Sequence, residues 1–251
     1  MKKRKKSGQI TIFIIVAILI VFGIVIFLIL KSGSLNNMNN LINRDNSIVT
    51  KSRMINDMTE DCIDKRTIDA LRLVSLHGGY VEVPANFLNL GFTEIGLGFD
   101  KSRKLLRNRE IIEKEISNYL DKSVSYCLNL EDFSQNITLE KFQSETKIKD
   151  NKVIINANFE YSIKNEKSSS SFNQKFSNDY MIPLGNMLND ADKIIQEQIK
   201  SGKSIPISYL TNNRFDVYYD FVSDAGVYYI LYDKNSNLDG INYFFITGGN
   251  F

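Results

Sequence analysis

Few side chains in this chain stand in patterns that could do chemistry. His77 is the only histidine, which excludes a zinc centre built on two or more histidines and the H-E-x-x-H pattern with it. His77-Gly78-Gly79 has the outline of an esterase oxyanion sequence, yet no G-x-S-x-G supplies a nucleophile. A histidine ending a helix beside a glycine cap accounts for it. Gly96-Leu97-Gly98 meets neither dinucleotide nor P-loop spacing. Asp233, Asn235, Asn237 and Asp239 place oxygen ligands at alternate positions and form the metal candidate, of a kind that suits calcium. An EF-hand, however, needs glycine where Leu238 stands and an acidic residue where Phe244 stands, and an Asn- and Asp-rich hairpin loop is the plainer reading. Asp57, Glu60, Asp61 and Asp64 read as the solvated face of a helix. Asn136-Ile137-Thr138 matches the acceptor pattern for N-glycosylation. The chain holds 29 acidic residues, too many for spacing to nominate a general acid–base pair. No catalytic residue, cofactor or metal is assigned beyond these candidates.

The element that places these residues is an apolar run. Ile10 to Leu30 is 21 residues without a charge, and as a helix it measures about 31 Å, the thickness of a bilayer's hydrocarbon core. It reads as a transmembrane helix in contact with membrane lipid. Five cations, Lys2, Lys3, Arg4, Lys5 and Lys6, precede it. They hold residues 1–9 in the cytoplasm, and the residues after about 31 then lie outside the cell membrane. A cleaved secretory signal would have a shorter apolar core ending in a small-residue cleavage site.

Lys6-Ser7-Gly8-Gln9-Ile10-Thr11-Ile12-Phe13 resembles the short class III leader of archaeal type IV pilin-like proteins, and the opening of uncharacterised single-span membrane proteins of small-genome archaea. The resemblance implies processing between Gly8 and Gln9, with Gln9 as the mature N-terminus. The chain departs from the pilin pattern at the fifth mature position, where a glutamate helps to align subunits and this sequence has Phe13. An uncleaved signal-anchor is the alternative.

Charge and cysteine content fit an outward domain. The chain has 31 basic and 29 acidic residues, and without the leader cations the balance is 26 against 29. Nothing in it offers the basic face that nucleic acid requires. Cys62 and Cys127 are the only cysteines. In an oxidising compartment an even count favours a disulfide between them, two buried free thiols being the alternative.

The remainder reads as α+β: an N-terminal transmembrane helix, a helical hairpin-like segment, then an antiparallel β-sheet with one packed helix. Residues 31–51 form a stalk or linker, for which a helix continuing from the span is the alternative. Residues 52–130 are the helical segment. From about Arg53 to Leu76, Ile63, Thr67, Ala70, Leu71 and Val74 line one face, and Gly78-Gly79 ends the helix. Tyr80 to Pro84 is expected as a short extended piece and Asn86 to Asp100 as irregular loop. Ser102 is placed to cap a second helix reaching about Cys127, with Ile112, Ile116, Tyr119, Leu120, Val124 and Cys127 on one side. Running antiparallel, the two helices would bring the sulfurs together.

Residues 131–251 are the α+β ectodomain. Val153, Ile155, Ala157, Phe159, Tyr161 and Ile163 alternate with mostly polar residues, as in a strand with one buried face. Glu145 to Lys149 precedes it across a turn, and Phe172, Phe176, Tyr180 and Ile182 continue the alternation on a return strand. Pro183 opens a helix with Leu184, Met187, Leu188, Ala191, Ile194, Ile195 and Ile199 as its stripe. Strands follow around Phe215 to Phe221, Val227 to Tyr232 and Ile241 to Ile246, with a loop from Asp233 to Gly240. Two function classes fit. One is a structural or interaction protein of the cell surface, pilin-like in its sharpest form, that assembles with itself or binds a protein partner. The other is an anchored enzyme or solute-binding domain working through carboxylates.

Overall fold

A computed structural model describes residues 34–128, 136–165, 168–222 and 226–251. The chain divides into two compact units, Met1–Met54 and Ile55–Phe251. Ile10 to Leu30 and the processing pair Gly8 and Gln9 lie outside the described residues. Among the described residues no helix is long and apolar enough to cross a membrane.

The fold is α+β. Helix α1 (Ser34–Leu76) is helical well before Arg53, where the periodicity alone places its start. Leu35, Met38, Leu41 and Ile42 do carry spacings of three and four through the Asn-rich stretch. In the second unit Ile63, Thr67, Ala70, Leu71 and Val74 are all buried, as the stripe requires. Helix α2 (Arg109–Cys127) buries Ile112, Ile116, Leu120 and Val124. Its cap is Asn108, whose side chain accepts from the Ile111 N–H, and not Ser102. Ser102 is instead in the turn between two short strands, β3 (Phe99–Asp100) and β4 (Arg103–Lys104).

Two further strands, β1 (Phe87–Asn89) and β2 (Glu94–Gly96), pair antiparallel within the stretch expected as irregular loop. Two of its glycines, Gly96 and Gly98, mark close packing, whereas Gly91 sits at φ 82° with nothing within 4 Å of a Cβ. A Cβ at Gly98 would stand 2.6 Å from both Ile195 Cδ1 and Thr247 Oγ1, and one at Gly96 would enter the Tyr80 ring. Tyr80 to Pro84 forms no strand. Side chains hold it instead: the Arg107 guanidinium lies 3.8 Å over the Tyr80 ring, and Glu115 accepts from the Val81 N–H at 3.0 Å.

Two larger sheets follow. Strands β5 (Asn136–Ile148), β6 (Val153–Asn165) and β7 (Ser168–Tyr180) form an antiparallel meander in that order. The inward residues of β6, from Val153 to Ile163, are buried as the alternation predicts. Strands β8 (Asp216–Val222), β9 (Gly226–Leu238) and β10 (Ile241–Asn250) join β3 and β4 in a five-stranded sheet of order β4-β3-β10-β9-β8. The β3–β10 pair is parallel, so this sheet is mixed and not purely antiparallel. Helix α3 (Leu184–Ser201) has the expected stripe, with Pro183 at its N-cap and not at its first turn, and α4 (Ile207–Leu210) is a single turn.

Each large sheet has its own helical cover, where the sequence suggests one helix on one sheet. α2 lies against β5. α3 meets the five-stranded sheet through Gln198, which is fully buried, accepts from the Tyr229 hydroxyl and donates to the carbonyls of Gly202 and Ser204. On the other side of that sheet Leu88, Ile95 and Leu97 cluster with Ile246.

Burial of aromatic hydroxyls has a measurable consequence. Burial pushes the phenols of Tyr180, Tyr229 and Tyr243 above the ordinary tyrosine value. Below about pH 10 both folded and unfolded chains keep these protons and the contribution is fully present. Above it the unfolded chain ionises first, so stability falls as pH rises, by about 1.4 kcal/mol per pH unit for each such tyrosine. Denaturant titrations at pH 9, 10 and 11 measure this; a free energy flat across that range would mean that the phenols are not buried.

Candidate interaction surface

The residues singled out by sequence separate in space, with one exception. Cys62 and Cys127 form a disulfide with their Cα atoms 6.1 Å apart, inside the usual range. The bridge closes one end of the α1–α2 pair. At the other end Gly79, just beyond α1, meets Ile112 in the first turn of α2, so the two helices run antiparallel.

His77 ends α1. Its Nδ1 lies 3.1 Å from the Val81 carbonyl oxygen, and Gly78 and Gly79 follow at φ 71° and 94°, the left-handed backbone that glycine accepts. Asp61 pairs with Lys65 at 2.7 Å and Asp64 accepts from the Tyr180 hydroxyl at 2.9 Å. Asn136 opens β5, opposite Lys164.

Of the metal candidates, Asp233, Asn235 and Asn237 lie on β9, which continues to Leu238 with a bulge in its pairing to β10, and Asp239 lies with Gly240 in the turn. Asp233 accepts from the Asn235 N–H at 3.0 Å, Asn237 from the Gly240 N–H at 2.7 Å, and Asp239 pairs with Arg72 at 2.8 Å. These oxygens serve the hairpin and its tie to α1. Among the described residues no group of three or more His, Cys, Asp or Glu is placed to hold a metal ion.

Two open hollows of about 600 Å³ are present. The first is lined by Lys104, Arg107, Arg109 and Lys193 among others, but its cations are engaged with carboxylates: Lys104 with Asp192, Arg107 with Glu115, Arg109 with Asp150 and Lys193 with Asp190. The second lies over the meander and has Glu145 as its carboxylate. Glu82 and Glu115 share a smaller hollow. Both Glu115 oxygens are occupied there, one by Arg107 and one by the Val81 N–H. A glycosidase-like acid–base pair requires two available carboxylates across one substrate.

What the fold does expose is strand edge. At one end of the five-stranded sheet is β8, with Tyr218, Tyr219 and Phe221 exposed by 58%, 41% and 50%. The Phe221 ring neighbours those of Tyr219 and Phe251. In the meander, the two edges differ. β5 is covered by α2: Asp121 accepts from the Ser144 N–H, Ser117 from that of Thr146 and Glu113 from that of Ile148. Four helical residues rise about 6 Å and two strand residues about 6.8 Å, so side chains every fourth position match backbone donors every second. β7, the opposite edge, pairs among the described residues with β6 alone. Periodicity finds the strands but not their order, so this contrast between edges was invisible in the sequence.

No family model, curated protein or solved structure matches the chain.

Proposed function

We propose that the chain is a single-pass, membrane-anchored extracytoplasmic protein of structural or interaction type, held by Ile10 to Leu30 with residues 1–9 in the cytoplasm. The observation that carries this reading is the uncharged 21-residue run directly behind five cations. The Cys62–Cys127 disulfide supports it, since such bonds form and persist in oxidising, outward compartments. The open strand edges give such a domain surfaces on which an extended segment of another chain can be added. The resemblance of Lys6 to Phe13 to a class III leader makes a pilin-like surface component the sharpest form of the reading.

The state of the leader is testable. Intact mass and terminal peptide mapping of the native protein extracted from membranes should show Gln9 as the N-terminus if a pilin-type peptidase acts. A start near Met1 would remove the pilin-like form and leave a plain anchor.

A further inference from the structure

The meander manages its edges asymmetrically. A backbone N–H that donates to α2 cannot also donate to β6, so Ser144, Thr146 and Ile148 point their backbone groups away from the sheet. Ser144 stands opposite Ala157, which makes that a pair without mutual backbone bonds; Ala157 therefore turns its groups toward β7, opposite Phe176. Along β7 the even-numbered residues bond to β6. The odd-numbered ones, Ser169, Ser171, Asn173, Lys175, Ser177 and Asp179, direct N–H and C=O outward.

Among the described residues that edge has little of the usual protection, its charges being Lys175 and Asp179 alone. It is 13 residues long, its register with β6 has no shift, and it contains no proline. Bulges, prolines, charges or a covering helix are the common ways to prevent edge pairing, and β5 has both a bulge and the helix.

We propose that β7 pairs antiparallel, about a twofold axis, with β7 of a second copy of this chain. This rests on the interaction reading above and names its partner. The register that overlaps all thirteen residues centres on Gln174. It joins odd residues to odd ones, so the outward backbone groups meet their like, with up to about twelve new hydrogen bonds. It sets Phe172 against Phe176 of the other copy twice, at the closely spaced positions where aromatic pairs gain most. Lys175 faces Asn173 and Asp179 faces Ser169, so no like charges meet. A contact about 44 Å long with side chains on both faces buries on the order of 1,000 Å² in total, enough for a specific interface.

Gln174 faces itself across that axis at about 4.5 Å between Cα atoms, within disulfide reach. The test uses the full chain in membranes, with Gln174→Cys as probe and Lys203→Cys, on an exposed loop, as control for random collision and for sidedness. Mild oxidation should give a reducible dimer at least tenfold more abundant for Gln174→Cys. Adding Asn173→Lys opposes two lysine pairs and should lower the dimer yield about tenfold at low salt; adding Lys175→Glu as well should restore it. Dimer no more abundant than in the control, or a cross-link to a different protein, overturns the pairing. So does a charge exchange that fails to restore what Asn173→Lys lost. If Lys203→Cys is unreactive to an impermeant maleimide from outside the cell, the anchored reading fails instead, whatever the cross-link shows.

Discussion

Reduction of the Cys62–Cys127 disulfide, or its removal by replacing both cysteines with alanine, is expected to lower stability by about 4 kcal/mol. The bridge closes a loop of 65 residues, and a loop of that length restricts the unfolded chain by roughly that amount in the chain-entropy model. Cys62 is buried against α2, with only 5% of its surface exposed, so the alanine pair also forfeits packing at the end of the helical hairpin. For a domain of this size the melting temperature should fall by about 10 °C. Calorimetry of the oxidised and reduced protein measures it directly, with alkylation to confirm that both thiols have been released. A melting temperature unchanged on complete reduction would mean that the bridge does not tie the folded helices together.

The second large effect belongs to Gly249. β10 is held between β9 and the parallel strand β3, and at Gly249 the backbones come too close for any side chain. A Cβ there would fall well inside van der Waals contact with the Phe99 carbonyl oxygen and 2.7 Å from Phe99 Cδ1. Phe99 is 1% exposed and cannot retreat. Gly249→Val should therefore break the β3–β10 pairing and destabilise the domain by about 3 kcal/mol or more. Gly240 is the control. It sits at φ 82° with nothing within 4 Å of a Cβ, and asparagine tolerates that backbone, so Gly240→Asn should change stability by no more than about 1 kcal/mol. Equal melting temperatures for the two variants would contradict the close approach.

The contrast between these glycines shows what the sequence discloses and what it conceals. Gly240 follows Asp239 at a hairpin and could be read as a turn. Gly249, Gly96 and Gly98 look like loop residues, and Asn86 to Asp100 accordingly reads as irregular. Their partners, Phe99, Tyr80, Ile195 and Thr247, are distant in the chain, and local pattern contains no trace of them. For the same reason the parallel β3–β10 pair was unreadable, whereas the β6 alternation and the α2 and α3 stripes depend only on local period, and of their residues all but Tyr119, Cys127 and Ile199 are buried. Ser102 and Asn108 are equally good cap types, and only the pairing of β3 with β4, which takes Ser102 into its turn, leaves Asn108 as the cap. At the candidate surface, the cysteine pairing was legible from number, since two cysteines allow a single intramolecular pairing. The covered edge of β5 was not, although Glu113, Ser117 and Asp121 at steps of four, opposite Ser144, Thr146 and Ile148 at steps of two, are a matching pattern once the two elements are known to touch.

An anchored domain outside the membrane has a defined sidedness, which cysteine labelling reads. Ser7→Cys and Lys203→Cys are introduced separately and intact cells are treated with a membrane-impermeant maleimide before and after permeabilisation. Lys203→Cys should be labelled in intact cells and Ser7→Cys, in chains that retain the leader, only after permeabilisation. Labelling of Lys203→Cys that requires permeabilisation would contradict the outward placement.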